Sequence, residues 1–194
     1  NLSANVWKLL EKIWGPTRSS LAVKKARLIF VRPDFTQVLP ENPYPSYFDY
    51  PEMGWRIANH ANVFSRESLD IGIRFLLQHL PEQAGSDIID LGCGNGMLSL
   101  QLLAQQADCQ LLLTDESYMA VESARLSVAE NFPAALSRCH FVVDDCLSQQ
   151  ADNSADWVLC NSPFHQQAAV TTHIASQMFY DARRVLKPGG KIRI

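Results

Sequence analysis

No stretch of this 194-residue chain approaches the roughly 18 consecutive apolar residues needed to cross a bilayer. Its start lacks the basic, apolar and small-residue succession of a signal peptide. Paired cysteines are missing too. Cys93, Cys109, Cys139, Cys146 and Cys160 stand singly, with no Cys-x-x-Cys, which argues against a disulfide framework or a zinc site. Most sit in or beside apolar runs, where a reduced thiol acts as a small hydrophobe, so a cytoplasmic location is expected. The histidines at 60, 79, 140, 165 and 173 are scattered, and no metal-ligand cluster is expected. The chain opens on Asn1 instead of Met, which predicts a piece of a longer protein. With 47% hydrophobic residues it can bury a full core, and its length suggests one domain plus an appendage.

A net charge of -3 conceals an asymmetry. Lys8, Lys12, Arg18, Lys24, Lys25, Arg27 and Arg32 oppose only Glu11 within residues 1–32, a net of +6, so the remainder carries -9. A basic arm on an acidic body suits a polyanionic substrate gripped by the arm, although a solvated helix face has the same composition.

The richest stretch is Asp87-Ile88-Ile89-Asp90-Leu91-Gly92-Cys93-Gly94-Asn95-Gly96. It reads as a buried strand followed by glycines at alternate positions and a helix from Met97 to Gln105. Parallel α/β sheets build this arrangement where backbone must pass close to a ligand at a strand's carboxyl end. The spacing is G-x-G-x-G, not the G-x-G-x-x-G of dinucleotide sites. Together with Asp90 it favours S-adenosylmethionine over NAD.

Around this run, helical spacing of Val6, Leu9, Leu10 and Ile13 predicts a first helix ended by Gly15-Pro16. Leu21 to Val31 reads as helix or strand. Residues 33–54 carry Pro33, Pro40, Pro43, Pro45 and Pro51, which predicts an extended linker without regular structure and a domain boundary at 54/55. A short strand is expected within Trp55 to Val63, then a helix capped by Ser65 with Leu69, Ile73, Leu76, Leu77 and Leu80 on one face. Strand-like runs recur at Ile88–Leu91, Gln110–Thr114, His140–Val143, Trp157–Cys160 and Lys191–Ile194. Between them, Ala120, Val121, Ala124 and Val128 line one helix, and Val170, Ile174, Met178, Ala182 and Val185 another. The alternation predicts a parallel, doubly wound α/β sheet. It breaks off at the fifth strand, after Lys187-Pro188-Gly189-Gly190, so the sheet is expected to continue in a longer protein.

In such sheets ligands lie beyond the strand carboxyl ends, so each terminus is a candidate site. After the first strand, Gly92, Gly94 and Gly96 admit the ligand, and Asp90 offers an acceptor to a methionine ammonium. Asp115-Glu116, about 25 residues beyond Asp90, suit two ribose hydroxyls, the alternative being that Asp115 caps a helix. Asp144-Asp145 suit an adenine amino group, or form a plain turn. The fourth strand ends Asn161-Ser162-Pro163-Phe164-His165. The Asn161 amide oxygen, the Ser162 carbonyl and the Phe164 ring, stiffened by Pro163, suit a planar base bearing an exocyclic amine. His165 is not expected to be catalytic, because a free amine attacks a sulfonium methyl without prior deprotonation.

These residues resemble the class I S-adenosylmethionine-dependent methyltransferases. Asp90–Gly96 is similar to their first motif, and Asn161–Phe164 to the N-P-P-[YF] motif of amino-group methylases. Asn62-Val63-Phe64-Ser65-Arg66-Glu67-Ser68-Leu69-Asp70-Ile71-Gly72 resembles the V-F-S-x-x-x-L-D-x-G signature of bacterial rRNA guanine-N2 methyltransferases, the large-subunit type in particular. The likeness covers residues 55–194 well. It implies a Rossmann-like sheet, a methyl transfer from S-adenosylmethionine to guanine N2 in 23S rRNA, and a monomer free of metal. It also implies a duplicated protein, of which this chain holds the tail of one half and most of the other. The cofactor set it implies is Phe64, Asp90, Gly92, Cys93, Gly94, Asn95, Gly96, Asp115, Glu116, Asp144, Asp145 and Asn161. The catalytic set is Asn161, Ser162, Pro163 and Phe164. Ser162 departs from the first proline of the motif, which keeps the carbonyl acceptor but loses rigidity and predicts slower catalysis or a looser pocket, not a change of reaction. Other readings are an adenine-N6 or protein-glutamine methyltransferase, a ligand- and RNA-binding fragment without activity, and a nucleotide-dependent oxidoreductase.

Overall fold

The apolar runs of residues 87–193 assemble into one parallel sheet, which occupies most of the second of two units. The computed structural model describes residues 3–63, 69–82, 85–106, 108–161 and 168–194, with 168–172 by backbone alone. The chain divides into Asn1–Pro43 and Tyr44–Ile194.

The first unit holds helix α1 (Ala4–Ile13) and the antiparallel strands β1 (Thr17–Ser19) and β2 (Ile29–Val31). Gly15 turns the chain between helix and strand at φ +118°, where a Cβ would meet the Arg32 carbonyl oxygen at 2.6 Å. Leu21 to Val31 is strand only at its end. Val23 and Ala26 pair across a turn that puts Lys24 and Lys25 in left-handed conformation. Opposite that turn, the Arg18 guanidinium lies over the Phe30 ring, 5.3 Å from its centroid.

The second unit opens with a hairpin, β3 (Ser46–Tyr50) and β4 (Trp55–Asn59). β3 corrects the expectation that the prolines abolish regular structure: Pro45 and Pro51 flank the strand and leave its N–H groups intact. Next come α2 (Ile71–Leu77), β5 (Asp87–Leu91), α3 (Met97–Gln105), β6 (Gln110–Asp115) and α4 (Tyr118–Asn131). A 3-10 helix (Pro133–Arg138), β7 (Cys139–Val143), β8 (Ala155–Cys160), α5 (Ala168–Val185) and β9 (Leu186–Arg193) complete it. Asp70 caps α2, accepting from Gly72 N at 2.9 Å and Ile73 N at 3.3 Å; the expected cap, Ser65, lies outside the described residues.

The sheet runs β7-β6-β5-β8-β9, every neighbour parallel. Its order reverses at β5, which makes the carboxyl ends of β5 and β8 a switch point where a crevice opens. β9 starts earlier than expected because Leu186 already pairs with Ala155. Trp157 then pairs with Lys191, so the predicted Lys187–Gly190 turn survives as a bulge within the strand.

Both faces of the sheet are covered, which is why its strands are apolar at successive positions. Ile88, Leu111, Leu113 and Leu159 point to a core with α2, α3, α4 and the hairpin. Ile89, Leu91, Val158 and Cys160 point to a second core against Met178, Ala182 and Val185 of α5. At about 1.5–3 kcal/mol for each large side chain, these layers hold the unit together. Opposite the crevice, Lys187 joins Asp87 at 2.6 Å and Asp156 at 3.1 Å, linking β5, β8 and β9 at their near ends.

The hairpin docks through a polar stripe on α4. Alternate amides along and just past β4, those of Arg56, Ala58 and His60, donate to Asn131 Oδ1 (2.9 Å), Ser127 Oγ (3.0 Å) and Ser123 Oγ (2.8 Å). A four-residue repeat on a helix thereby meets a two-residue repeat on a strand.

Candidate functional site

A cavity of about 460 Å³ opens at the switch point, within the range of small-molecule sites. The glycine loop forms its floor. Gly92 N and Cys93 N both donate to the Thr114 carbonyl, at 2.9 and 3.0 Å, which pins the loop to the end of β6. Gly92 and Gly94 take φ +74° and +54°, and a Cβ on either would meet no atom of the described residues within 4 Å. The backbone here is bare by construction and faces open space. Gly96 is different: at φ +85°, its Cβ would strike Ala124 Cα at 3.1 Å. It serves the packing of α3 on α4 and does not line the cavity.

Asp90 also stands apart from the lining. It is fully buried beneath the loop, where Oδ2 accepts from Ser99 Oγ at 2.7 Å and Oδ1 has no partner among the described residues. Burial pushes its carboxyl up to about 6, against the pull of the Ser99 hydroxyl, and the nearby Asp115 charge adds to the rise.

At the end of β6, Asp115 spends one acceptor position of each oxygen on backbone: Oδ2 takes Gly94 N at 3.1 Å and Oδ1 takes Ser117 N at 2.9 Å. Its remaining lone pairs and the exposed Glu116 face the cavity. The cap of α4 is Ser117, which accepts from Ala120 N at 3.3 Å, so Asp115 is released from that alternative role.

The two aspartates after β7 part company. Asp144 is buried and engaged by Ser148 Oγ (2.7 Å), Gln149 N (3.2 Å) and Gln150 Nε2 (2.9 Å). Burial works to raise its carboxyl, but these hydrogen bonds outweigh it and hold the group below its ordinary value. Asp145 is exposed and lines the cavity. Asn161 follows β8 and lines the same space.

Of the expected cofactor set, Gly92, Cys93, Gly94, Asn95, Asp115, Glu116, Asp144, Asp145 and Asn161 therefore surround one cavity. Phe64, Ser162, Pro163 and Phe164 lie outside the described residues. Sequence patterns missed the apolar wall. Ile73 of α2 and Ile174 and Met178 of α5 sit on stripes that read as core, yet their upper ends border the cavity, with Gln177 beside them. Asn59 was missed entirely. It is fully buried and holds the Asn95 side chain at 3.0 Å, locking the loop from the hairpin side.

The profile of the methyltransferase small domain matches residues 54–194, the whole span that builds this sheet and cavity. The chain belongs to that family. Over its full length it is 52% identical to the ribosomal RNA large subunit methyltransferase G of Aeromonas salmonicida (strain A449), covering 52% of that protein. It is 52% identical over 188 residues to the enzyme of the same name from Erwinia tasmaniensis, covering 96% of this chain and 50% of that one. The chain thus spans about half the length of the curated relatives it matches. Among solved structures, mitomycin 7-O-methyltransferase MmcR superposes on 62% of this chain and 34% of its own at a TM-score of 0.50 and 17% identity, a likeness of fold. The methyltransferase sheet expected from the sequence is the one observed.

Proposed function

We propose that the intact protein transfers a methyl group from S-adenosylmethionine to the exocyclic N2 amine of a guanine in 23S rRNA. The observation that carries this reading is the convergence of acceptors from the ends of β6, β7 and β8 on one cavity floored by the bare glycine backbone that follows β5. That cavity suits the cofactor: Gly92 and Gly94 leave room against the chain, and the cationic methionine end is drawn toward the Asp90 carboxylate buried beneath the loop, whose Oδ1 has no partner among the described residues. Asp115 and Glu116 take the ribose hydroxyls, Asp145 the adenine amino group, and Ile73, Ile174 and Met178 the apolar ring faces. The likeness along nearly all of this chain to about half of proteins named ribosomal RNA large subunit methyltransferase G supports the choice of substrate.

The cofactor supplies a methyl group on a sulfonium, an electrophile toward amines. The chain's task is placement. Asn161 accepts one hydrogen of the target amine and so turns its lone pair toward the methyl carbon. The Ser162 carbonyl takes the second hydrogen and Phe164 stacks on the base, as the motif resemblance implies. Nitrogen–carbon bond formation accompanies sulfur–carbon cleavage, and the surplus amine proton leaves to water. No side chain needs to remove it first. Basic side chains of residues 1–32 hold the phosphates. A substrate of this kind sets the enzyme in the cytoplasm. Among the described residues no group of His, Cys, Asp or Glu suits a metal ion, and no helix is long and apolar enough to cross a membrane.

The test gives the full-length protein labelled S-adenosylmethionine with unmodified large- and small-subunit rRNA, followed by nucleoside analysis. Label in N2-methylguanosine from the large rRNA is expected. Label in adenosine, or in protein alone, overturns the choice of substrate.

A further inference from the structure

Gly72 is the second residue of α2, in ordinary helical backbone, so nothing in its conformation calls for glycine. What calls for it is its surroundings. A Cβ there would come within 2.8 Å of Asn161 Oδ1 and 2.9 Å of Asp70 Oδ2. Real Cβ atoms do not approach oxygen so closely, so an added methyl must displace one or both. The Asp70 oxygen is tied down by two amides of the α2 cap, Gly72 N and Ile73 N. The Asn161 amide is the end of a side chain whose terminal torsion has only broad preferences. The weaker constraint yields, and Asn161 moves.

We propose that Gly72 is a positioning residue for Asn161: the bare Cα at the start of α2 leaves the space in which the Asn161 amide oxygen stands. This rests on the reading above, in which that oxygen orients the target amine. α2 also borders the cavity through Ile73, one residue further on. One short helix thus sets both a wall of the ligand site and the stance of the acceptor. Gly72→Ala separates stability from catalysis, because alanine is the better helix former and should favour α2, while its methyl group shifts the acceptor. Misplacement of a reacting group by about an ångström costs on the order of 100-fold in rate.

The experiment uses the full-length protein on unmodified 23S rRNA. It compares kcat, the Kd for S-adenosylmethionine by calorimetry and the thermal midpoint for the unaltered protein, Gly72→Ala and the control Ile71→Ala, whose side chain is 85% exposed. Expected for Gly72→Ala are a kcat lowered about 10- to 100-fold, a cofactor Kd within about twofold, and a midpoint unchanged or raised, with Ile71→Ala close to the unaltered protein. Unchanged kcat overturns the proposal. So does a joint fall of kcat and midpoint, which would mean that the Asp70 cap gave way instead of Asn161. Should the unaltered protein label no guanosine, the reading of the site itself falls and this inference with it.

Discussion

Asn59 on β4 and Asn95 in the glycine loop are joined side chain to side chain at 3.0 Å, both buried. The bond reaches from a hairpin outside the five-stranded sheet to the loop that floors the cavity. Asn59 also donates to the Ile57 carbonyl at 3.2 Å, which fixes which end of its amide faces Asn95. Asn59→Ala leaves Asn95 buried without that partner, at a cost of about 1–3 kcal/mol. A lowered urea midpoint is expected, together with weaker S-adenosylmethionine binding by calorimetry. Unchanged binding in a folded variant would show that the loop holds its shape without the hairpin.

Asp90 makes stability depend on pH in an unusual direction. Its carboxyl is raised by burial from 3.8 to about 6. The folded protein therefore keeps a proton between those values that the unfolded chain has released. The stability that this proton contributes is complete below about 3.8 and is lost as pH rises to about 6. Above that range the buried charge costs on the order of 3 kcal/mol. Asp90→Asn should raise the urea midpoint of the ligand-free protein at pH 7.5 and lose that advantage near pH 4. An equal effect at both values would place the benefit elsewhere.

Asp144 and Asp145 are neighbours with different tasks. Asp144→Ala strands the groups of Ser148, Gln149 and Gln150 that it gathers, and a loss of about 1–3 kcal/mol is expected in denaturant unfolding. Asp145→Ala should leave unfolding nearly unchanged and weaken S-adenosylmethionine in calorimetry. Reversal of the two effects would exchange their roles.

The glycines divide in the same manner. Gly96→Ala combines a left-handed backbone with a 3.1 Å approach to Ala124 Cα, and should lower the thermal midpoint sharply. Gly94→Ala carries milder strain, since its Cβ meets nothing within 4 Å among the described residues. Its main expected effect is on S-adenosylmethionine affinity. Calorimetry beside thermal unfolding separates the two.

The sheet was readable because its strands are short apolar runs bounded by glycine and acid, and that signal is local. The stretch after β7 shows where reading stops: Asp144 and Asp145 are alike in sequence, and only the fold of residues 148–150 decides which is consumed by its own turn. The polar stripe Ser123, Ser127 and Asn131 was equally silent, because its partners on β4 lie some 70 residues away. Ile174 and Met178 were recognised as apolar but not as cavity wall, since one helical stripe serves both core and site. Gly72 was legible only as a letter in a motif, and the approach to Asn161 gives that letter its reason.

The stripe on α4 has one more consequence. Among the described residues β4 has a strand neighbour on one side only, and on the other the amides of 56, 58 and, just past the strand, 60 end on side chains. An edge held this way can detach as a hairpin while the five-stranded ladder stays closed, a partial opening of lower free energy than global unfolding. Amide hydrogen exchange at those three positions reads that opening directly. When the hairpin leaves, Asn59 leaves with it, and the glycine loop loses its lock in a protein that is still folded.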